Sequence, residues 1–173
     1  MHALPVPAAF DPAIEADIDL LAVSEYTAFY GSAAAGDSVE AEALLSLAAG
    51  PILEELLGNL GVAPGTAAAR RRMHLIACHD STLIPLLQAL HAFGGAARRW
   101  PAFAACIIVE LYEPRAGGAD AGSLIVRVLY DRVPVIVPGA ASEWCPLGVF
   151  WRACARYIRK DWPHAGAMAG LEE

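Results

Sequence analysis

Between Leu75 and Leu87 the chain changes character within two residues. Leu75-Ile76-Ala77-Cys78 is apolar, His79-Asp80 is not, and Ser81-Thr82-Leu83-Ile84-Pro85-Leu86-Leu87 places hydroxyls ahead of an apolar run. Met73 to Cys78 predicts a buried strand. Ser81 to Ala92 predicts a helix with Ser81 or Thr82 as N-cap, Pro85 still in the first turn, and Gly94-Gly95 as its end. A strand that feeds a helix points to an α/β fold and puts His79 and Asp80 at the strand's carboxyl end, where ligands of such sheets bind. The helix contributes free N–H groups and the positive end of its dipole, which suit an anion such as phosphate. A histidine there can donate to phosphate oxygens, and an aspartic acid there can protonate a leaving oxygen. The same residues also admit a structural reading, with Asp80 as N-cap and His79 as a core histidine. Spacing alone leaves both open.

Around this segment the punctuation is clear. Asp11-Pro12 predicts a first helix with Asp11 as N-cap, with Ile14, Ile18, Leu20, Leu21 and Tyr26 at helical spacing and an end near Gly31. A second helical stretch carries Leu44, Leu45, Leu47, Ile52, Leu53, Leu56, Leu57 and Leu60, broken or kinked at Gly50-Pro51. Phe103–Tyr112 and Leu124–Tyr130 read as strands of a hairpin around Pro114–Gly122, and Val133–Val137 as a further strand. Pro146–Arg159 is a final helix with Leu147, Phe150, Trp151, Cys154 and Ile158 on one side. With no repeat and no linker, residues 1–173 form a single domain. Residues 1–69 are an acidic helical segment; residues 70–162 hold the His-Asp strand, its helix, the hairpin and the last helix.

Charge and composition exclude several classes. No Lys or Arg precedes Arg70, so residues 1–69 carry −10, residues 70–173 carry +3, and the whole chain is −7. A segment at −10 repels phosphate backbones and anionic lipid, so no nucleic acid and no membrane surface is expected as its partner. The longest clean apolar run, Phe103 to Val109, is far below the ~20 residues of a membrane span. No positive n-region opens the chain, so no secretory signal is read and the compartment is left unassigned. The 36 alanines inflate the 57% apolar fraction, and without them the composition is that of an ordinary globular core. Cys78, Cys106, Cys145 and Cys154 contain no C-x-x-C pair, so no metal site is expected. Cys78 and Cys106, set in apolar runs, read as buried small hydrophobes.

The runs CHDSTLIPLLQAL, RWPAFAACIIVELYEP, LIVRVLYDRVPV and CPLGVF, with AGPILEELLGNL upstream, resemble the histidine acid phosphatases. Within that family they are most similar to the second half of the lysophosphatidic acid phosphatase type, with the 2-phosphoxylose phosphatases as the nearest competitor. The likeness covers roughly residues 40–162 and, faintly, the LPVP opening. It implies a histidine-phosphatase (phosphoglycerate mutase-like) sheet with flanking helices, and a two-step hydrolysis of phosphomonoesters. In that scheme a histidine of an Arg-His-Gly motif takes the phosphoryl group, an aspartic acid protonates the leaving group, and water releases phosphate. The resemblance gives His79 the phosphate contact and Asp80 the proton-donor role. Glu110 matches a recurrent acidic strand position without a catalytic role. No metal and no cofactor is implied, and the partner is a phosphomonoester or inorganic phosphate.

The chain departs from that pattern. It contains no Arg-His pair: His2, His74, His79, His91 and His164 follow Met, Met, Cys, Leu and Pro. The sheet is therefore expected to be incomplete, without the Arg-His-Gly strand. The Met73–Cys78 strand is expected near an exposed edge that favours self-association. Arg70-Arg71-Arg72 lies at the far end of that strand and cannot replace the missing arginines. Pro138-Gly139-Ala140 stands where the family often has Pro-Gly-Cys, so Cys145 lacks a disulfide partner there. Three readings stay open: the C-terminal part of an acid phosphatase that is inactive when isolated, a non-catalytic remnant that binds an anion or a protein, and a scaffold.

Overall fold

Asp11 starts the first helix as a short polar side chain next to proline should. Its Oδ1 accepts the Ala13 N–H at 2.9 Å, which satisfies one of the donors that a helix start leaves free. Residues 11–30, 39–61, 73–94, 98–113 and 124–159 are described in the computed structural model. They form α1 (Pro12–Tyr30), α2 (Val39–Ala48), α3 (Gly50–Asn59), α4 (Asp80–Ala89), β1 (Ile107–Tyr112), β2 (Ile125–Tyr130), β3 (Val133–Val135), β4 (Cys145–Pro146) and α5 (Leu147–Ala155). The break at Gly50-Pro51 falls as expected between α2 and α3.

The sheet is antiparallel and centred on β2. β1 lies along one side of it, from Ile107↔Tyr130 to Tyr112↔Ile125. The other side is shared: β4 covers its start, with Val126↔Cys145, and β3 its end, with Tyr130↔Val133. Strand alternation sends Val126, Val128 and Tyr130 toward the helices, while Arg127 faces away. Two residues join β2 to β3, and both have positive φ, Asp131 at 48° and Arg132 at 69°, as a type I′ turn demands. Asp131 is bonded twice to Cys106, just ahead of β1. Its N–H donates to the Cys106 carbonyl and its Oδ1 accepts the Cys106 N–H, both at 3.0 Å. After β3, Val137-Pro138-Gly139-Ala140 closes a turn in which Gly139 takes φ +82°.

The helices bury their apolar faces on that sheet. Leu45, Ala49, Leu53 and Leu57 of the α2–α3 pair meet Leu86 and Leu90, Val126 and Val128, Phe150 and Cys154, and Tyr157. Full burial of a side chain such as Phe150 contributes about 1.5–3 kcal/mol. A smaller cluster of Val23, Ile84, Leu87, Phe93 and Tyr130 anchors α1. Mixed helices and strands agree with the α/β fold class read from the sequence.

The strand expected over Met73–Cys78 is not formed. Residues 73–79 belong to no ladder and are exposed, Leu75 at 85%. A strand exists only against a partner, and among the described residues none lies beside this segment. Among the described residues the sheet's edges are instead β1 on one side of β2 and β3 with β4 on the other. Cys78 and Cys106 are likewise exposed rather than buried: Cys78 lies in the uncovered segment 73–79, and Cys106 points away from the core that its neighbours Ala105 and Ile107 pack against. The expected face of α1 is corrected as well. Ile14, Ile18, Leu20 and Leu21 are exposed, and the helix is held through Val23, Tyr26 and Tyr30, at spacings of three and four residues. Helix α4 starts one residue earlier than expected, with His79 as N-cap, so Pro85 is its sixth residue rather than part of its first turn. It ends at Ala89, with His91 at φ 55° taking the left-handed turn ahead of the glycines. Strand β1 and helix α5 are shorter than their apolar runs. The Pro114–Gly122 turn and Arg70–Arg72 lie outside the described residues.

Candidate active site

Helix α4 positions the two residues singled out by their place in the sequence. His79 sits at its N-cap with extended backbone, φ −92° and ψ 162°, and its carbonyl accepts the Thr82 N–H at 3.0 Å. Asp80 is the first helical residue, where a carboxylate is favoured by the helix dipole. Its Oδ1 accepts the Ser81 N–H at 2.7 Å and its Oδ2 accepts the Trp100 indole N–H at 2.7 Å. Asp80 therefore lies inside the helix and is not the N-cap of the structural reading. His79 is exposed and no core histidine, and its imidazole has no hydrogen-bond partner among the described residues. Both residues face solvent and lie outside the cleft lined by His91, Arg99, Tyr130 and Asp131.

Trp100 was not among the residues that the sequence singled out. It is half-buried, packs edge-on against Tyr26 of α1 with ring centroids 5.2 Å apart, and precedes the buried Pro101. A separation of twenty residues between Trp100 and Asp80 follows no spacing rule, and a Trp beside a Pro reads as packing. Its indole N–H is the one signal that pointed elsewhere, since a Trp packed on one side still needs an acceptor for its N–H.

Glu110 stands apart, on the sheet face turned away from the helices. It opposes Arg127 across β1 and β2, 4.0 Å from its guanidinium, and accepts the Tyr112 hydroxyl at 2.9 Å. That bond, more than burial, pushes the Tyr112 phenol above its ordinary range. Arg127 gives its shorter hydrogen bonds to Glu143, at 3.1 and 3.3 Å, and lies over the Trp144 ring. Such a network clamps the sheet to the loop before β4. Among the described residues no three His, Cys, Asp or Glu side chains gather as a metal site. No helix there is long and apolar enough to cross a membrane.

Residues 2–131 match the family model of the histidine phosphatase superfamily, branch 2. The chain belongs to the histidine acid phosphatase family. Within it, the chain is 34% identical over 116 residues to mouse lysophosphatidic acid phosphatase type 6, a match that takes in 65% of this chain and 26% of that protein. Rat prostatic acid phosphatase is 30% identical over 122 residues, 67% of this chain and 29% of that protein. Lysosomal acid phosphatase from Xenopus laevis is 29% identical over 122 residues, 67% of this chain and 26% of that protein. The chain thus spans about a quarter of the length of these histidine acid phosphatases.

Proposed function

We propose that this chain carries the proton-donor part of a phosphomonoesterase site. Asp80 protonates the leaving oxygen and His79 donates to a phosphate oxygen. The phosphoryl group is accepted by a histidine of an Arg-His-Gly segment that the chain itself does not contain. In the first step the nucleophilic nitrogen bonds to phosphorus, the ester P–O bond breaks, and the Asp80 proton passes to the departing oxygen. In the second, water attacks the phosphohistidine, Asp80 takes back a proton, and inorganic phosphate leaves. One observation carries this reading: His79 and Asp80 stand side by side and exposed at the start of α4, with the Asp80 carboxyl oriented by the Ser81 and Trp100 N–H groups and the His79 ring without a hydrogen-bond partner among the described residues. The names of the relatives favour lysophosphatidic acid or similar organic phosphates as substrates.

On its own the chain is a poor catalyst, because a general acid supplies only about 10²- to 10⁴-fold. Hydrolysis of p-nitrophenyl phosphate between pH 4 and 7, with the purified chain alone and then with an Arg-His-Gly segment supplied, tests the proposal. Activity is expected only in the second case. Activity of the chain alone that vanishes in His79→Ala would overturn it. Residues 73–78, apolar apart from His74, exposed and outside the sheet, are where a companion strand pairs; without one, two copies of the chain associate through this segment.

A further inference from the structure

A carboxyl group that gives up a proton must be aimed before transfer and stabilised after it. The Ser81 N–H reaches Oδ1 of Asp80 from the helix backbone, at 2.7 Å. A second donor comes from a distant part of the chain, the Trp100 indole at 2.7 Å from Oδ2. The indole is in turn fixed, edge-on at 85° against Tyr26, and α1 is itself tied to α4 by Val23 among Ile84 and Leu87.

We propose that Trp100 is a positioning residue for Asp80: its N–H fixes the plane of the carboxyl group toward the leaving oxygen and holds the carboxylate left once the proton has gone. This rests on Asp80 being the proton donor. The indole keeps its own proton throughout, so the only proton that moves is the one passing from Asp80 to the leaving oxygen. A neutral N–H facing a carboxylate forms a charge-assisted bond, stronger than the same bond to the neutral acid. Trp100 therefore acts more on the transition state, where negative charge grows on Asp80, than on bound substrate. Leaving groups that depend on the proton should feel its loss, and good leaving groups should not.

Two variants of this chain, assayed with the Arg-His-Gly segment supplied, test this. Trp100→Phe removes the donor; replacing the indole by benzothiophene removes it while keeping the ring shape and the Tyr26 contact. Both should lower kcat for an alkyl phosphate by about ten- to a hundredfold, the worth of a hydrogen bond to a charged group. KM should hold, and kcat for p-nitrophenyl phosphate should change by less than about threefold. In the chain itself, the Trp100 indole N–H resonance should move in Asp80→Ala. Equal slowing of both substrates by the benzothiophene variant, no slowing of either, or an unmoved resonance would overturn the proposal. If Asp80→Asn itself shows no preference between leaving groups, the proton-donor role fails first. A resonance that still moves in Asp80→Ala then marks a structural contact only, which also overturns the proposal and says why.

Discussion

The Tyr157 carbonyl oxygen lies so close to Gly50 that a β-carbon on that glycine would stand 2.6 Å from it. This approach lets α3 start directly against the end of α5. It also explains why a glycine precedes Pro51 at a helix start where other residues would serve the backbone equally well. The obstructing atom is main chain and cannot swing aside. Gly50→Ala is therefore expected to destabilise the chain by about 1–3 kcal/mol, the cost of overpacking, despite alanine's better helix propensity. The shift of the urea midpoint at unchanged m-value measures it.

With an Arg-His-Gly segment supplied, Asp80→Asn keeps a side-chain oxygen for one of the two N–H donors but cannot deliver the proton. Turnover of alkyl phosphates should fall by about 10²- to 10⁴-fold, and that of p-nitrophenyl phosphate much less. His79→Ala should weaken phosphate binding as well as turnover, since a donor to the phosphate oxygens acts in both ground and transition states. Steady-state kinetics on the two substrates, with phosphate as competitive inhibitor, separates the two roles.

The four cysteines divide by exposure. Cys78 and Cys106 should react with a thiol reagent in the native state, whereas Cys145 and Cys154 should react only on unfolding. Burial pushes the Cys154 thiol up from 9.0 to about 12, and burial raises Cys145 as well. Above pH ~9 the unfolded chain releases the Cys154 proton and the folded chain keeps it, so stability falls as pH rises from about 9 to about 12. The slope from this thiol alone is about 1.4 kcal/mol per pH unit. Urea melts across this range in the native chain and in Cys154→Ala should differ by that slope, even though the variant is less stable throughout.

Leu75 offers a direct test of self-association. At 85% exposure its side chain contributes nothing to the core of one copy, so Leu75→Lys should leave the melting midpoint unchanged at low concentration. It should shift the concentration dependence of the sedimentation or light-scattering mass toward monomer. A mass that is independent of concentration in the unsubstituted chain would rule the association out.

Features set by neighbouring residues were readable in the sequence. The Asp11 cap, the break at Gly50-Pro51, the hairpin strands and the placing of His79 and Asp80 at a helix start all follow from residues a few positions apart. Features that need a distant partner were not. Among the described residues, Met73–Cys78 has the composition of a strand but no neighbour to pair with, and nothing covers the apolar pattern in the first half of α1. Cys106 sits in an apolar run, yet its backbone is engaged by Asp131, and no pattern in the run reveals that. Trp100 reaches Asp80 only because α1 and α4 bring Tyr26 and the helix start together, a relation that spacing does not encode.

The pair of hydrogen bonds between Asp131 and Cys106 gives the β2–β3 turn a role beyond reversing the chain. Two non-glycine residues at positive φ are a costly way to make a turn, and an Asn-Gly pair would relax it. Yet Asp131 brackets both backbone groups of Cys106 at the point where β1 begins, so sliding β1 by one residue would lose both bonds. Such a slip would also turn Ile107, Val109 and Leu111 away from the core. The turn therefore acts as a stop against mispairing while the sheet assembles. A substitution that eases its backbone but removes the aspartate oxygen would trade local comfort for heterogeneous strand alignment.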